Sequence, residues 1–281
     1  MQAPPAAVEL GLADWNWKVV REFVAQRFGI RLSRSSCLNY LHRLGFVVKR
    51  PKKRLLKADP AKREAFVQQY AAVRDEAAVS GAKLFFADEA HFYADADLRG
   101  KWVLKGQPAL VDSTSPRWGE KASYYSAVCV ETGEVDVMEL TGTSCADSSA
   151  AFLRQLRMHH PESLIVFWDN SPAHSGDAIR ALLRTPDLRV HLVRLPAYSP
   201  DFNADEAIWD WVRDEVTANT CLGSAAAVRE HVGAFFRGLS ARAEEVTRRC
   251  RTVLHTRVEA LPTQVAPAAQ TRHADPAFAL V

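Results

Sequence analysis

Three stretches of the sequence end an apolar run on an acid. "KLFFADEAHFY", from Lys83 to Tyr93, stops on Asp88-Glu89, with His91 two residues beyond. "SLIVFWDN" ends on Asp169-Asn170 in the same manner. "LPAYSPDFNADEAIW" breaks at Pro196, turns through Tyr-Ser-Pro-Asp and opens a helix near Asn203. Glu206 lies in the first turn of that helix, with Asp205 beside it as a competing ligand. Each acid has an ordinary alternative. Asp88 suits a strand-end turn, Asp169 with Asn170 suits an Asx-turn, and Asn203 with Glu206 has capping-box spacing. Taken together, three acids on adjacent elements make an oxygen-rich site for magnesium or manganese, which prefer hard ligands. Two such ions can activate water on one side of a phosphodiester and stabilise the leaving oxygen on the other.

An Asp-Glu pair after an apolar strand also suggests a nucleotide-hydrolysing motor. Such a motor needs a phosphate cradle, G-x-x-x-x-G-K-[ST], ahead of the acids. None is present: Gly100-Lys101 is followed by Trp102, and no glycine stands five residues before Gly100.

The acids need a scaffold, and the pattern supplies one. "KLFFAD", "KWVLKGQPALV", "ASYYSAVCV" and "EVDVMELTG" read as strands, the last two joined as a hairpin through "ETG". "SCADSSAAFLRQLRMHH" reads as a helix capped by Ser144. "SLIVFWDN" has the continuous apolar run of a central buried strand. "SGDAIRALLRT" reads as a helix, "RVHLVRLP" as a strand and "NADEAIWDWVRDEVTAN" as a helix. The order of four strands, helix, strand, helix, strand, helix predicts an α/β sheet, antiparallel at first and parallel later.

A different grammar precedes it. "WNWKVVREFVAQRFG" sets Trp17, Val20, Val24 and Phe28 at helical spacing and ends on Gly29. "IRLSRSSCLNYLHRLG" predicts a second helix capped by Ser33, with Leu38, Leu41 and Leu44 inward and Gly45 ending it. Two short helices on a tight link read as a helix-turn-helix. Its outer face carries Arg34, Ser35, Ser36, Asn39 and Arg43, which reach base edges and phosphates. Lys49, Arg50, Lys52, Lys53 and Arg54 follow and suit contact with phosphates. Between Asp14 and Lys57 stand twelve basic and two acidic side chains, an excess of ten, which leaves about −7 elsewhere in a chain of net charge +3. A basic head on an acidic body points to a nucleic-acid-binding module joined to something else.

The expected boundaries are a helix-turn-helix domain with basic extension at 1–57, a helical linker at 58–80, a catalytic domain at 81–222, a helical segment at 223–260 and a disordered tail at 261–281. The 281 residues allow one large domain and a small one. No apolar run approaches the roughly 20 residues of a membrane helix. The start has neither the basic residues nor the apolar core of a secretory signal. Cys37, Cys129, Cys145, Cys221 and Cys250 are scattered without a C-x-x-C, which suits a reducing cytoplasm rather than disulfides or zinc.

The stretches "FFADEAHF", "GKWVLKGQP", "VFWDNSPAHSG" and "LPAYSPDFNADEAIWDWV", from Phe85 to Val212, resemble the DDE transposases of the mariner superfamily, in their bacterial insertion-sequence branch. The basic helix-turn-helix ahead of them is similar to that family's layout. The resemblance implies a ribonuclease-H-like mixed sheet flanked by helices, preceded by a small all-α helix-turn-helix domain, winged or not. It assigns the catalytic, metal-binding triad to Asp88, Asp169 and Glu206, with 36 residues between the last two. Its frame makes Asn203 the motif's Asn and Trp209 its Trp, so that Asp205 falls where the family is usually aliphatic. Asn170 and His174 match positions beside the second acid, where they orient it or contact DNA, and His91 takes a similar supporting place near the first.

The implied cofactor is magnesium or manganese, two ions per site. The implied partners are double-stranded DNA, as terminal inverted repeats and as target at TA, and a second copy in a homodimer. The implied location is the bacterial cytoplasm, at the nucleoid when DNA-bound. Two departures stand out. The family reads Asn-Pro-aliphatic-Glu where this chain reads Asn203-Ala204-Asp205-Glu206, and many relatives carry a further helix-turn-helix where this chain has barely a dozen residues before Trp15. The alternative expectation is therefore a truncated, frameshifted or decayed transposase that only binds DNA.

Overall fold

A computed structural model of the protein describes residues 15–48, 56–114 and 120–262. The chain divides into two compact units, Met1–Arg54 and Leu55–Val281.

The first unit holds two helices. Helix α1, Trp17–Phe28, starts at Asn16, whose side chain accepts from the Lys18 and Val19 N–H groups, and ends at Gly29 with φ 68°. That left-handed conformation is one glycine adopts at little cost. Helix α2, Arg34–Arg43, is capped by the Ser33 side chain, which accepts from the Ser36 N–H. Val19, Val20 and Cys37 are buried. Two expected inward positions are not: Phe28 is 63% and Leu44 70% exposed. Both lie at the C-terminal ends of their helices and line an open apolar cavity between the two, with Val24 and Leu41. Lys49, Arg50, Lys52, Lys53 and Arg54, and the expected tail from 263 onward, lie outside the described residues.

The second unit is built on five strands: β1 Lys83–Tyr93, β2 Lys121–Val128, β3 Val135–Leu140, β4 Leu164–Trp168 and β5 Val190–Arg194. Their order is β3-β2-β1-β4-β5. The β1–β2 and β2–β3 pairs are antiparallel; β1–β4 and β4–β5 are parallel. Helices α4 (Ala146–His159), α5 (Asp177–Leu183), α6 (Glu206–Val212), α7 (Ala225–Leu239), α8 (Ala243–Cys250) and α9 (Val253–Glu259) complete it, with a π-helical turn at Arg213–Thr217.

Strand alternation divides the side chains between two cores. Leu84, Phe86, Ala90 and Phe92 of β1 and Phe167 of β4 enter one core with residues of α6 to α9. Phe85, Ala87, Val166 and Trp168 enter the other, with α4 and α5. The parity of a position thus decides which face it serves. Asp88 falls in step with Phe86, and Asp169 with Phe167, so both acids belong to the first face.

Three expectations change here. The helical linker expected at 58–80 is a helix, α3, Pro60–Ser80, but one that is part of the first core. Its Phe66, Val67 and Tyr70 are buried, and burial of a large apolar side chain contributes about 1.5–3 kcal/mol, which a free connector forgoes. "KWVLKGQPALV" is not a strand. β1 and β2 pair directly from Phe86↔Val128 to Tyr93↔Lys121, so nothing can insert between them, and the stretch runs outside the sheet with Trp102 fully exposed. Three strands, not four, therefore precede α4. Finally, α4 starts after Cys145 rather than Ser144. The Ser144 hydroxyl bonds the Tyr125 hydroxyl at 2.6 Å, and Ser148 Oγ takes the Cys145 N–H at 2.9 Å.

Candidate functional site

Asp88, Asp169, Asn170, Tyr198, Asn203 and Glu206 line one cavity of about 470 Å³ at an end of the sheet. Asp88 sits in the interior of β1 with Ser126 of β2 directly across. Asp169 is the first residue past β4. Glu206 is the first residue of α6, reached from β5 through the Pro200–Phe202 turn.

The loop after β4 is organised around Asp169. Its Oδ1 accepts from the Ser171 N–H at 2.9 Å, so the Asx-turn is present. The same oxygen meets His174 Nδ1 at 2.7 Å. His174 is fully buried and stacks on Trp168 with ring centroids 3.9 Å apart. Its other nitrogen, Nε2, lies 2.9 Å from Glu89 Oε2, in an ion-pair contact too bent for a hydrogen bond. Asp88 and Glu89 therefore serve opposite faces: Asp88 lines the cavity, while Glu89 reaches the imidazole behind Asp169. Arg194 at the end of β5 donates to the Asp169 carbonyl at 2.9 Å and also to the His174 carbonyl. Asn170 Nδ2 donates to the Leu195 carbonyl at 2.7 Å.

The third acid is set by its approach. Tyr198 takes φ 58°, a left-handed conformation uncommon outside glycine and costly to hold. Arg63 of α3 grips Asp201 with two hydrogen bonds, 2.9 and 2.7 Å, and lies 4.0 Å over the Phe202 ring. Asn203 does not form the capping box its spacing suggests. Its Nδ2 donates to the Ala87 carbonyl at 3.1 Å, and its Oδ1 accepts from the Asp205 N–H at 3.2 Å. Asp205 has no solvent exposure and accepts a 2.5 Å hydrogen bond from Ser126 Oγ.

The acids differ in charge environment. Burial, then the negative charges of Glu206, Asp205 and Glu89, push the Asp88 carboxyl well above its usual range. Burial also raises Glu206, against the opposing charge of Arg213. Burial raises Asp205 well above the carboxylate range. For Asp169 burial is outweighed by the His174 and Ser171 hydrogen bonds and the charges of His174 and Arg194, and the net shift is downward. His174 moves up: burial lowers it, but the hydrogen bond to Asp169 and the negative charges of Glu89 and Asp169 outweigh that.

Among the described residues no three His, Cys, Asp or Glu side chains converge closely enough to hold an ion as they stand. The three acids line the same cavity without closing on a common point. The donor set fits a hard divalent cation in chemistry, being all carboxylate oxygen. It fits in charge as well, because a cation relieves the repulsion that raises Asp88.

The supporting candidates divide. Asn170, Asn203 and His174 stand at or behind the cavity wall. His91 does not: it is exposed, bonds Ser123 Oγ at 2.7 Å and is absent from the lining. Two positions after Glu89, it follows that residue's parity rather than Asp88's. Sequence reasoning missed Glu89, Ser126, Arg194 and Arg63. Parity along β1 signalled Glu89; the other three depend on contacts between distant segments. On α2, Ser35, Asn39 and Arg43 recur every fourth residue on the exposed side, and Arg34 lies 5.6 Å over the Trp17 ring. The Ser36 hydroxyl is engaged with Ser33 Oγ at 2.9 Å.

A family model described as DDE superfamily endonuclease matches residues 83–229, a span that contains all three acids. The chain belongs to the DDE superfamily of endonucleases. A second model, a winged helix-turn helix, matches residues 13–70 of this DDE chain. An uncharacterised 39 kDa protein of insertion element IS630 from Shigella sonnei is 26% identical over 211 residues, covering 73% of this chain and 59% of that protein. The chain thus spans less than two thirds of that relative's length. Among solved structures, the Mos1 transposase paired-end complex with left transposon end superposes with a TM-score of 0.63 at 18% identity, covering 92% of this chain and 77% of that one. The Mos1 mariner paired-end complex with Mn gives 0.63 at 19% identity, covering 90% and 75%. At such identity the likeness establishes the ribonuclease-H-like fold. The mariner-superfamily resemblance drawn from the four motifs is upheld. No helix among the described residues is long and apolar enough to cross a membrane.

Proposed function

We propose that the chain is a transposase of the insertion-element type. It hydrolyses a phosphodiester bond at terminal inverted repeats, and the freed 3′ hydroxyl then attacks target DNA at TA. The observation that carries this reading is the lining of one cavity, on one face of the sheet, by Asp88, Asp169 and Glu206, within the segment matching the DDE endonuclease family. These three carboxylates would hold the divalent ions, two per site. When bound, such ions polarise the phosphate and lower the pKa of the attacking water.

The chain's own residues do the positioning. His174, wedged between Asp169 and Glu89, fixes which oxygen of Asp169 faces the cavity. Asn203 ties the approach to Glu206 to the β1 backbone. Asn170 and Arg194 hold the loop beyond β4 against the end of β5. Residues 1–57 would supply the DNA-binding surface, through Arg34, Ser35, Ser36, Asn39 and Arg43 on α2 and through Lys49, Arg50, Lys52, Lys53 and Arg54. Residues 81–222 would supply the chemistry, and joining two DNA ends would take two copies of the chain.

Manganese- or magnesium-dependent nicking of DNA carrying the element's terminal repeat tests this reading. Asp169→Asn is expected to abolish it, because the amide keeps the loop's shape and loses the charge. An Asp169→Asn protein that cuts as well as the parent sinks the catalytic assignment. The second reading, a DNA-binding protein without activity, draws on Asp205, a buried acid beside Glu206 where the family is aliphatic. It predicts no manganese-dependent change in melting temperature for the intact protein.

A further inference from the structure

The residue before the third acid is itself a carboxylate with no solvent exposure. Asp205 Oδ2 accepts from Ser126 Oγ at 2.5 Å, while its Oδ1 has no hydrogen-bond partner. Ser126 is equally buried. Burying a carboxyl group with one oxygen unpaired costs stability, so general adhesion of the fold is a poor account of the pair. Register gives a better one. Ser126 is the residue directly across from Asp88 in the β1–β2 ladder, and Asp205 immediately precedes Glu206. One hydrogen bond thus joins the strand position opposite the first acid to the helix position ahead of the third.

The start of α6 needs such a tie. The helix has no side-chain cap on its first turn, and an uncapped first turn takes its partners from outside the helix. Ala204 leaves the preceding backbone freer than a proline would. Two side chains anchor this start to the sheet: Asn203 to the Ala87 carbonyl of β1 and Asp205 to Ser126 of β2.

We propose that Ser126 and Asp205 are positioning residues for the reaction, whose hydrogen bond fixes the first turn of α6 to β2 and so sets Glu206 relative to Asp88. The proposal rests on the reading of Asp88, Asp169 and Glu206 as the metal-holding acids. The pair touches neither substrate nor metal, and it acts through the orientation of Glu206.

The test is manganese binding to the full chain without DNA, followed by electron paramagnetic resonance, with thermal melting as the fold control. Ser126→Ala leaves Asp205 wholly unpaired and risks the fold. The deciding variant is therefore Ser126→Ala with Asp205→Leu, because leucine shares the branched outline of aspartate and no buried polar group is left alone. We expect a folded protein whose manganese affinity is about 10-fold weaker, the loss typical when a ligand's supporting partner is removed, while Ser126→Thr alone, which keeps the hydroxyl and Asp205, keeps parent affinity. A folded double variant that binds manganese like the parent overturns the proposal. A double variant that fails to fold assigns the pair to folding and also overturns it. Asp169→Asn and Glu206→Gln serve as separate controls: if neither weakens manganese binding, the three-acid reading itself fails. If both weaken it and the double variant does not, only the positioning role fails.

Discussion

His174 is the side chain on which the geometry of the second acid depends. It is buried, stacked on Trp168, and in contact with a carboxylate at each ring nitrogen. Its raised pKa and the lowered pKa of Asp169 support each other through one hydrogen bond. The signs set a window. A raised histidine contributes stability that is present below its ordinary value and lost as pH rises through the folded one, while a lowered carboxyl contributes stability lost as pH falls through its folded value. The contact is therefore strongest between those limits. His174→Ala is expected to weaken manganese binding and DNA nicking by about 10- to 100-fold, as loss of a ligand's outer partner does. Isothermal titration with manganese and a nicking assay at matched metal occupancy check this; unchanged affinity would show that Asp169 is oriented without the imidazole. The three acids were legible in the sequence because each follows an apolar run or opens a helix after a turn, although the strand expected to stop at Asp88-Glu89 continues to Tyr93, and the family frame chose Glu206 over Asp205. Glu89 was not legible as the partner of His174, since adjacency to Asp88 says nothing of which residue will pack behind the sheet. Ser126 was hidden for a related reason: a serine in "ASYYSAV" acquires meaning only when register sets it opposite Asp88.

Among the elements, α3 and α9 show what local pattern omits. Both read as helix from composition, but their joint role comes from one buried contact. Tyr70 of α3 meets His255 Nε2 of α9 at 3.1 Å, and His255 Nδ1 accepts from the Thr252 N–H at 3.2 Å. With Nδ1 an acceptor, the neutral ring carries its proton on Nε2 and donates to the tyrosine. Burial, then the nearby charge of Arg251, pushes His255 down to about 4. Here the unfolded state binds the extra proton, so stability is lost as pH falls from about 6.5 toward 4. The parent should lose about 2 kcal/mol more than His255→Gln between pH 7 and pH 5, measured by urea unfolding at both values; equal losses would mean that the ring titrates normally. The stretch at 101–111 shows the converse. Its alternating apolar residues satisfy a strand template, yet the sheet offers it no free position beside β1 or β2. Trp102→Ala should therefore leave stability within about 0.5 kcal/mol of the parent, as for surface positions generally. A drop in melting temperature beyond that range would return the segment to the fold.

At the scale of the whole molecule the charge division seen in the sequence gives the proposed function, with its two tasks in one chain, a physical basis. The excess of ten positive charges lies between Asp14 and Lys57, and the remainder is acidic. The fold follows the same division: the basic residues lie in or next to the small helical unit, and the three acids lie in the sheet unit. A net-acidic body repels DNA at long range, so under the proposed function the head would supply the attraction that brings a phosphodiester to the acids. Its binding should be dominated by counterion release. For duplex DNA the logarithm of the binding constant falls with the logarithm of salt concentration by about 0.9 for each phosphate neutralised. Replacing both Lys52 and Lys53 with alanine should therefore reduce that slope by about 2 and weaken binding alike on repeat and unrelated DNA. Asn39→Ala, on the exposed stripe of α2, should leave the slope unchanged and narrow the difference between the two DNAs, because a base contact carries sequence preference without releasing an ion. Asp169→Asn should alter neither quantity. Fluorescence anisotropy across a salt series on two duplexes measures all three. If Lys52 and Lys53 leave the slope untouched, the attraction for DNA resides elsewhere, and the charge division describes solubility rather than recognition.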